Sequence, residues 1–410
     1  LDLETLSWLR SPAGQAVLAD LAARRPAEAD ALREQERLRR HYPPELARAA
    51  LQLALLRQRA RAKFPDADRL FFTREALEQA SAAPVAAHRA GRLADRAGAE
   101  PVADLCCGAG ADALAIAAAG PPVLAVDRDP LRLALAAANA AARGLSGRIT
   151  TIQRDLLEEP PPPAAAVFCD PGRRSGGRRR FDVEAYEPPL SHVLGWRARA
   201  PALGVKLAPG VELAALPADA EVEFVSLDGE LKEAVLWCGP LADMARRATV
   251  LRSRGNGQAT AHELTGSAHS PQPAALSPPS AWLIEPDPAV IRAGLVTDLA
   301  AAIGAAQLDP EIAYLTAETA APTPFARAWP VLEWQPFQLK RLRARLRDLG
   351  AGAVTVKKRG SPLDPDALAR QLSGDGPRPL VVVLTQVAGR PAAIVCGPPQ
   401  PAGERAAPPD

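Results

Sequence analysis

Asp104, Asp127, Asp155 and Asp170 each end a short apolar run in the middle of the chain, and the first is followed by a glycine turn. PVADLCCGAG, from Pro101 to Gly110, runs into Asp104 and then breaks at Gly108 and Gly110. ADALAIAAA reads as the helix that this turn opens. Such a strand, turn and helix aim backbone N–H groups and a helix N-terminus at a ligand. Gly108-Ala109-Gly110-Ala111-Asp112-Ala113 formally fits the G-x-G-x-x-G/A dinucleotide fingerprint. Alone that match is weak, because a mere helix-entry turn looks the same in a chain rich in Gly and Ala. The acids discriminate. Asp104 would repel a diphosphate and welcome a cationic, amino-acid-like ligand. VLAVD ends at Asp127, placed to take two ribose hydroxyls, and ITTIQRD ends at Asp155, where an adenine amino group could donate.

These residues need a parallel sheet to present them. VADL, VLAVD, ITTIQ, AAAVFC and ALGVKLAP supply five strands, and VEFVSLDGELKEAVLWCG a strand pair that could close the sheet. Ahead of the sheet, PPELARAALQLALLRQRARAKF is helix-forming, with Pro43 and Pro44 able to start it. Thr73 is a candidate N-cap for REALEQASAAPVAAHRAGRLADRAG. Residues 254–280, rich in Gly, Ser, His and Pro, read as a linker or a hairpin loop. From Ala281 a second α/β unit begins: AWLIEP leads into a helix, and QLKRLRARLRDLG sets Leu339, Leu342, Leu346 and Leu349 on one face. GAVTVKKRG is a strand leading into a basic turn, and LVVVLTQVAGRPAAIVCG a closing hairpin. Residues 399–410 read as a disordered tail.

The 410 residues, 48% hydrophobic and 23% charged, suit a globular protein of more than one domain. A net charge of +2 supports no global electrostatic argument, and Ala, Pro and Arg dominate as in GC-rich coding. No apolar run approaches the ~18 residues of a membrane span. LDLETLSWLR lacks the basic and apolar segments of a signal peptide, so a cytoplasmic protein is expected. Cys106, Cys107, Cys169, Cys238 and Cys396 include no C-x-x-C pair and the five histidines show no ligand spacing, which argues for buried thiols and no metal site.

Strand, acid, turn, helix, strand, acid, strand, acid resembles the layout of class I S-adenosylmethionine (SAM) methyltransferases. VADLCCGAGADALAIA, VLAVDRDPLRLALAAANA, VFCDPGRR, VKLAPGVE and LKRLRARLRDLGAGAVTVKKRGSPLDPDALARQL together resemble one bacterial family of this class, which carries a C-terminal THUMP-like domain. The similarity extends over nearly the whole chain. It implies an α/β fold with a Rossmann-like methyltransferase sheet at 100–253, an N-terminal helical region at 1–99 and an α/β THUMP-like domain at 281–398. It implies SAM as cofactor, with Asp104, Gly108 and Gly110 at the methionine end, Asp112 beside them, Asp127 at the ribose and Asp155 at the adenine.

Asp170-Pro171 resembles the [DNS]-P-P-[YFW] loop of methyltransferases acting on exocyclic amines, where the side chain and a backbone carbonyl orient the amine. Methyl transfer from a sulfonium is a displacement governed by positioning. Asp170, Pro171 and Arg173 are therefore the candidate catalytic residues, although Gly172 and Arg173 stand where that pattern has proline and an aromatic. Covalent C5 chemistry is disfavoured because VKLAPG supplies no nucleophilic cysteine. Arg173, Arg174, Arg178, Arg179 and Arg180 would suit phosphate contact.

The THUMP-like resemblance implies an RNA substrate, tRNA or rRNA. Between Phe325 and Arg370 ten basic residues face four acids, a net of +6. Lys340, Arg341, Lys357, Lys358 and Arg359 are the candidate RNA contacts, against the plainer reading of a solvated basic face. Trp329, Trp334 and Phe337 fit a core better than base stacking. Two other readings stay open, a methyltransferase for a small molecule or protein, and a SAM-sensing RNA-binding protein without catalysis. NAD binding is the weakest, given Asp104.

Overall fold

Alanine- and leucine-rich segments with short caps turn the first hundred residues into helices. The computed structural model describes residues 1–173, 182–266 and 275–399, with Arg173 by its backbone alone. One compact unit comprises Leu1–Val222, Lys232–Asp243 and Leu251–Ala261, and a second Glu223–Leu231, Met244–Val250 and His262–Asp410.

The first unit begins with α1 (Leu3–Arg10), α2 (Pro12–Arg24), α3 (Ala31–Arg39) and α4 (Pro44–Ala60). Asp2 and Thr5 close a capping box on α1, and Pro44 opens α4 where a missing N–H costs nothing. Leu9, Leu21 and Leu53 from these helices share a core with Phe71, Leu135 and Ala138. Thr73 caps a helix as expected, its side chain accepting from the Ala76 N–H, but α5 (Arg74–Gln79) is short. A separate α6 (Ala83–Ala97) starts with Pro84 in its first turn. Proline has no N–H to continue the α5 ladder, and Lys63 Nζ takes the freed carbonyls of Leu77, Glu78 and Ala80 at 2.8–3.1 Å.

The sheet follows with β1 (Val102–Leu105), α7 (Ala111–Ala119), β2 (Val123–Asp127), α8 (Pro130–Ala142), β3 (Ile149–Gln153) and β4 (Ala166–Cys169). A small ladder, β5 (Gly172–Arg173) with β6 (Tyr186–Glu187), precedes α9 (Leu190–Gly195), β7 (Leu203–Leu207), β8 (Glu221–Leu227) and β9 (Glu230–Cys238). The parallel order is β3-β2-β1-β4-β7, with β9 antiparallel against β7. Strand order reverses between β1 and β4, and the crevice outside the carboxyl ends of such a switch is where open α/β sheets bind ligands. Asp104 and Asp170 both lie there.

Residues 254–280 are not a linker throughout. β10 (Arg246–Gly255) and β11 (Gln258–Gly266) flank Asn256-Gly257, and Gly255, Asn256 and Gly257 all have positive φ, as a tight hairpin requires. The Asn-Gly pair carries the hairpin signal that the polar composition hides.

In the second unit β12 (Trp282–Pro286) leads into two helices, α10 (Pro288–Ala293) and α11 (Val296–Ile303), rather than one. Gly294, at φ +72°, ends the first in a left-handed cap. β13 (Ala306–Asp309), β14 (Ile312–Ala317), β15 (Ala326–Pro336), α12 (Leu339–Asp348), β16 (Ala351–Lys358), α13 (Pro365–Leu372), β17 (Arg378–Val387) and β18 (Arg390–Cys396) complete it. The sheet order is β13-β14-β12-β15-β18-β17-β16. Leu342 and Leu346 are buried under the sheet with Leu339 and Leu349 packed beside them, as the helical spacing requires. Trp329 is core, whereas Trp334 is 40% exposed. The tail expected to be disordered, 399–410, lies outside the described residues except for Pro399.

Candidate active site

β1 is buried along its length and carries Asp104 to the crevice with it. Asp104 is 1% exposed, and among the described residues neither carboxylate oxygen has a partner at hydrogen-bond geometry, although the Ala113 N–H is near enough to oppose the rise in its pKa. Burial pushes its pKa well above the ordinary carboxylate value, and the neighbouring Asp112 and Asp170 push the same way. The chain then turns through Cys106, Gly108 and Gly110, all at positive φ. A Cβ on Gly110 would stand 3.0 Å from the Ala136 methyl, so glycine here also lets α7 start close against α8. A Cβ on Gly108 would meet no atom within 4 Å, which leaves the turn open above its backbone.

Asp127 ends β2 and is buried. Its Oδ2 accepts from the Gly108 N–H and its Oδ1 from the Asp129 N–H, both at 3.0 Å. The same carboxylate thus fixes the glycine turn and the start of α8. Asp155, half-buried beyond β3, accepts from the Leu157 N–H at 2.9 Å. It lines an open cleft of about 580 Å³ with Arg128, Asp129, Gln153, Arg154 and Glu159. Asp104, Gly108, Asp127 and Asp155 therefore run along the carboxyl edge of adjacent strands.

Asp170 follows β4, its N–H donating to the Leu105 carbonyl. Its Oδ2 accepts from Lys206 Nζ at 2.6 Å. Burial opposes the Lys206 charge, but Asp170 and Glu233 raise its pKa above the ordinary lysine value, so it stays an ammonium. Lys206 is a candidate site residue that the sequence alone does not reveal. Its only signal is a lysine inside the apolar strand LGVKL. Pro171 is buried, and Gly172 and Arg173 pair with Glu187 and Tyr186. Tyr186 is itself buried, with its Oη accepting from the Ala208 N–H, so no aromatic from this ladder replaces the missing one. Arg174 and Arg178–Arg180 lie outside the described residues.

Asp112 differs from the expectation of a ligand-facing acid. It forms a buried ion pair with Arg89 of α6, and the same guanidinium pairs with Glu233 of β9 and lies 5.1 Å over the Phe168 ring. Burial raises the Glu233 pKa, with Arg89 and Lys206 opposing it. Asp112 thus anchors the start of α7 to the helical region, and contributes to the site as part of the frame.

The donor set fits SAM. A buried acid with two unpartnered oxygens at the floor suits an ammonium and a sulfonium, and the acids around the turn disfavour a diphosphate. A relative in Mycobacterium tuberculosis (strain CDC 1551 / Oshkosh), described as an uncharacterized S-adenosylmethionine-dependent methyltransferase, is 39% identical over 348 residues, covering 82% of this chain and 92% of its own. The chain belongs to the S-adenosylmethionine-dependent methyltransferases. A relative in strain ATCC 25618 / H37Rv matches to the same extent. Family models match residues 2–60 (a domain of unknown function), 99–189 (RNA cap guanine-N2 methyltransferase) and 326–398 (THUMP domain-like). The fold is shared with a provisionally assigned methyltransferase from Porphyromonas gingivalis W83 of known crystal structure. It aligns at a TM-score of 0.70 and 19% identity over 91% of this chain and 99% of its own.

In the second unit of this methyltransferase the basic residues divide into two sets. Lys340, Arg341 and Lys358 are exposed. Lys357 instead pairs with Glu285 and lies 4.6 Å over the Trp329 ring. Arg359 stands 3.9 Å from Glu285 and 5.4 Å over Tyr314. Those two side chains are held by their own unit. No helix among the described residues is long and apolar enough to cross a membrane.

Proposed function

We propose that this methyltransferase modifies a base of tRNA or rRNA, with Asp170 and Pro171 orienting the acceptor. Bound along Asp104, Gly108, Gly110, Asp127 and Asp155, SAM supplies an electrophilic methyl group. Asp170 carries the reading: it follows β4 at the strand-order switch beside Asp104, and its Oδ1 is left to accept from an incoming amine while Lys206 holds Oδ2. A carboxylate so held orients a lone pair for in-line displacement without having to remove a proton first. The RNA class is supported by the THUMP-like match at 326–398 and the RNA cap guanine-N2 methyltransferase match at 99–189. The exposed Lys340, Arg341 and Lys358 offer charge for phosphates.

The pairing of Lys357 and Arg359 with Glu285 weakens the basic surface and favours, as the second reading, a small-molecule or protein acceptor. One experiment separates the two. Nucleoside mass spectrometry of total RNA from a deletion strain and its parent should reveal one missing methylated nucleoside, which names base and atom. Identical profiles would move the acceptor out of RNA.

A further inference from the structure

We infer that the N-terminal helices are a working part of the cofactor site, and that Asn139 is the positioning residue through which they hold the glycine turn. The inference rests on the cofactor site and not on the identity of the acceptor. Its starting point is a buried amide with every hydrogen-bonding group committed. Asn139, on α8, is 1% exposed. Its Oδ1 accepts from the Phe71 N–H at 2.7 Å, and its Nδ2 donates to the Phe71 carbonyl at 3.1 Å and the Ala109 carbonyl at 3.0 Å. One N–H and two carbonyls around the amide fix which end is oxygen.

Ala109 stands between Gly108 and Gly110, both at positive φ, in a backbone with much conformational freedom to lose. Asp127 restrains one side of that turn through the Gly108 N–H, and Asn139 restrains the other through the Ala109 carbonyl. Phe71 is in turn held from α4. Arg57, buried there, donates from Nε to the Leu70 carbonyl at 2.8 Å and lies 5.2 Å over the Phe71 ring. A contiguous path therefore runs from α4 through Arg57, Leu70, Phe71 and Asn139 to Ala109.

An independent second grip acts three residues further along the chain, at Asp112. Arg89 of α6, hydrogen-bonded to Ser81 Oγ at 2.8 Å, pairs with Asp112 in the first turn of α7. Segments 57–71 and 81–89 thus hold both ends of the turn that must face the cofactor. Preorganised backbone donors bind without the entropy cost of ordering a loop, so loosening either grip should appear as lost affinity. The helices at 2–60 act in this scheme as a brace on the cofactor turn.

Calorimetric titration of the full chain with SAM tests this, on Asn139→Ala, Asn139→Asp and Arg57→Met. Leu342→Ala, in the core of the second unit and away from the path, controls for general destabilisation. Both Asn139 variants should bind SAM at least tenfold more weakly and Arg57→Met several-fold more weakly. Leu342→Ala should lower Tm yet keep affinity within twofold. Asn139 variants that bind as tightly as the control overturn the inference. Hydrogen exchange on the wild type decides it if the variants fail to fold: SAM should slow exchange at the Phe71 amide together with that of Gly110. Protection at Gly110 with none at Phe71 also overturns it. A wild type that fails to bind SAM at all would instead remove the cofactor site itself.

Discussion

Lys206 Nζ lies 2.6 Å from Asp170 Oδ2, and this contact joins the last strand of the parallel sheet to the residue proposed to orient the acceptor. Lys206 cannot act as a general base while Asp170 and Glu233 keep it protonated. As a positioning residue it would fix one oxygen of Asp170. Lys206→Met should cut turnover at least about tenfold, with SAM affinity within about threefold of wild type. Asp170→Ala should abolish turnover with SAM affinity spared. Methyl transfer from labelled SAM to RNA of the deletion strain checks both. Wild-type turnover in Lys206→Met would reduce that lysine to a structural role.

The buried Asp104 gives the cofactor site a pH dependence of its own. Its carboxyl titrates well above the ordinary value near 4 because of burial and the adjacent acids. In the ligand-free chain such an acid favours folding below its unfolded pKa, and that stabilisation is lost as pH rises through the raised value. A cationic ligand reverses the preference, since it binds the ionised form. SAM affinity should therefore climb as pH rises through that raised value, with protons released on binding. Asp104→Asn should flatten that climb, weaken SAM at least about tenfold and leave the ligand-free Tm unchanged or higher. Titrations in buffers of different ionisation enthalpy measure the proton release, and pH-independent affinity in the wild type would refute the scheme.

The two sides of the site differed in how far sequence could reveal them. Asp104, Gly108, Gly110 and Asp127 are legible because turn, acid and strand lie within about 25 residues of one another, and local chemistry constrains them. Lys206 is not, because its meaning depends on Asp170, 36 residues away, and a lysine at a strand end is ordinary. Arg89 and Glu233 are further apart still, 144 residues, and look like surface charges in their own segments. Asp112 was read as a ligand contact for the same reason: nothing local names Arg89 as its partner. Thr73 was legible as a cap, whereas the α5–α6 break depends on Lys63 receiving the freed carbonyls.

Arg89 should be the least replaceable side chain of the frame. It is fully buried between two acids, so Arg89→Met leaves Asp112 without its cation and Glu233 with Lys206 alone. Breaking a buried ion pair from one side costs about 3–5 kcal/mol. Glu233→Gln should cost much less, because burial already biases Glu233 toward its neutral form and Asp112 still neutralises Arg89. Chemical denaturation of the two variants checks the order, and equal losses would show that Glu233 carries as much of the network as Arg89.

The two sets of basic residues in the second unit should separate RNA binding from stability. Lys340, Arg341 and Lys358 are exposed, whereas Lys357 and Arg359 share Glu285 and stand over Trp329 and Tyr314. Each phosphate contact contributes about one to the slope of log affinity against log salt. If RNA follows the exposed set, Lys340→Gln, Arg341→Gln and Lys358→Gln together should lower that slope by about 3, with Tm unchanged. Lys357→Met should instead lower Tm, since it removes a partly buried partner of Glu285, and should alter the salt slope little. Fluorescence anisotropy with tRNA across a salt series gives the slopes, and thermal melts give the stabilities. A triple variant with the wild-type slope would return these three residues to plain solvation and shift weight to a small-molecule or protein acceptor.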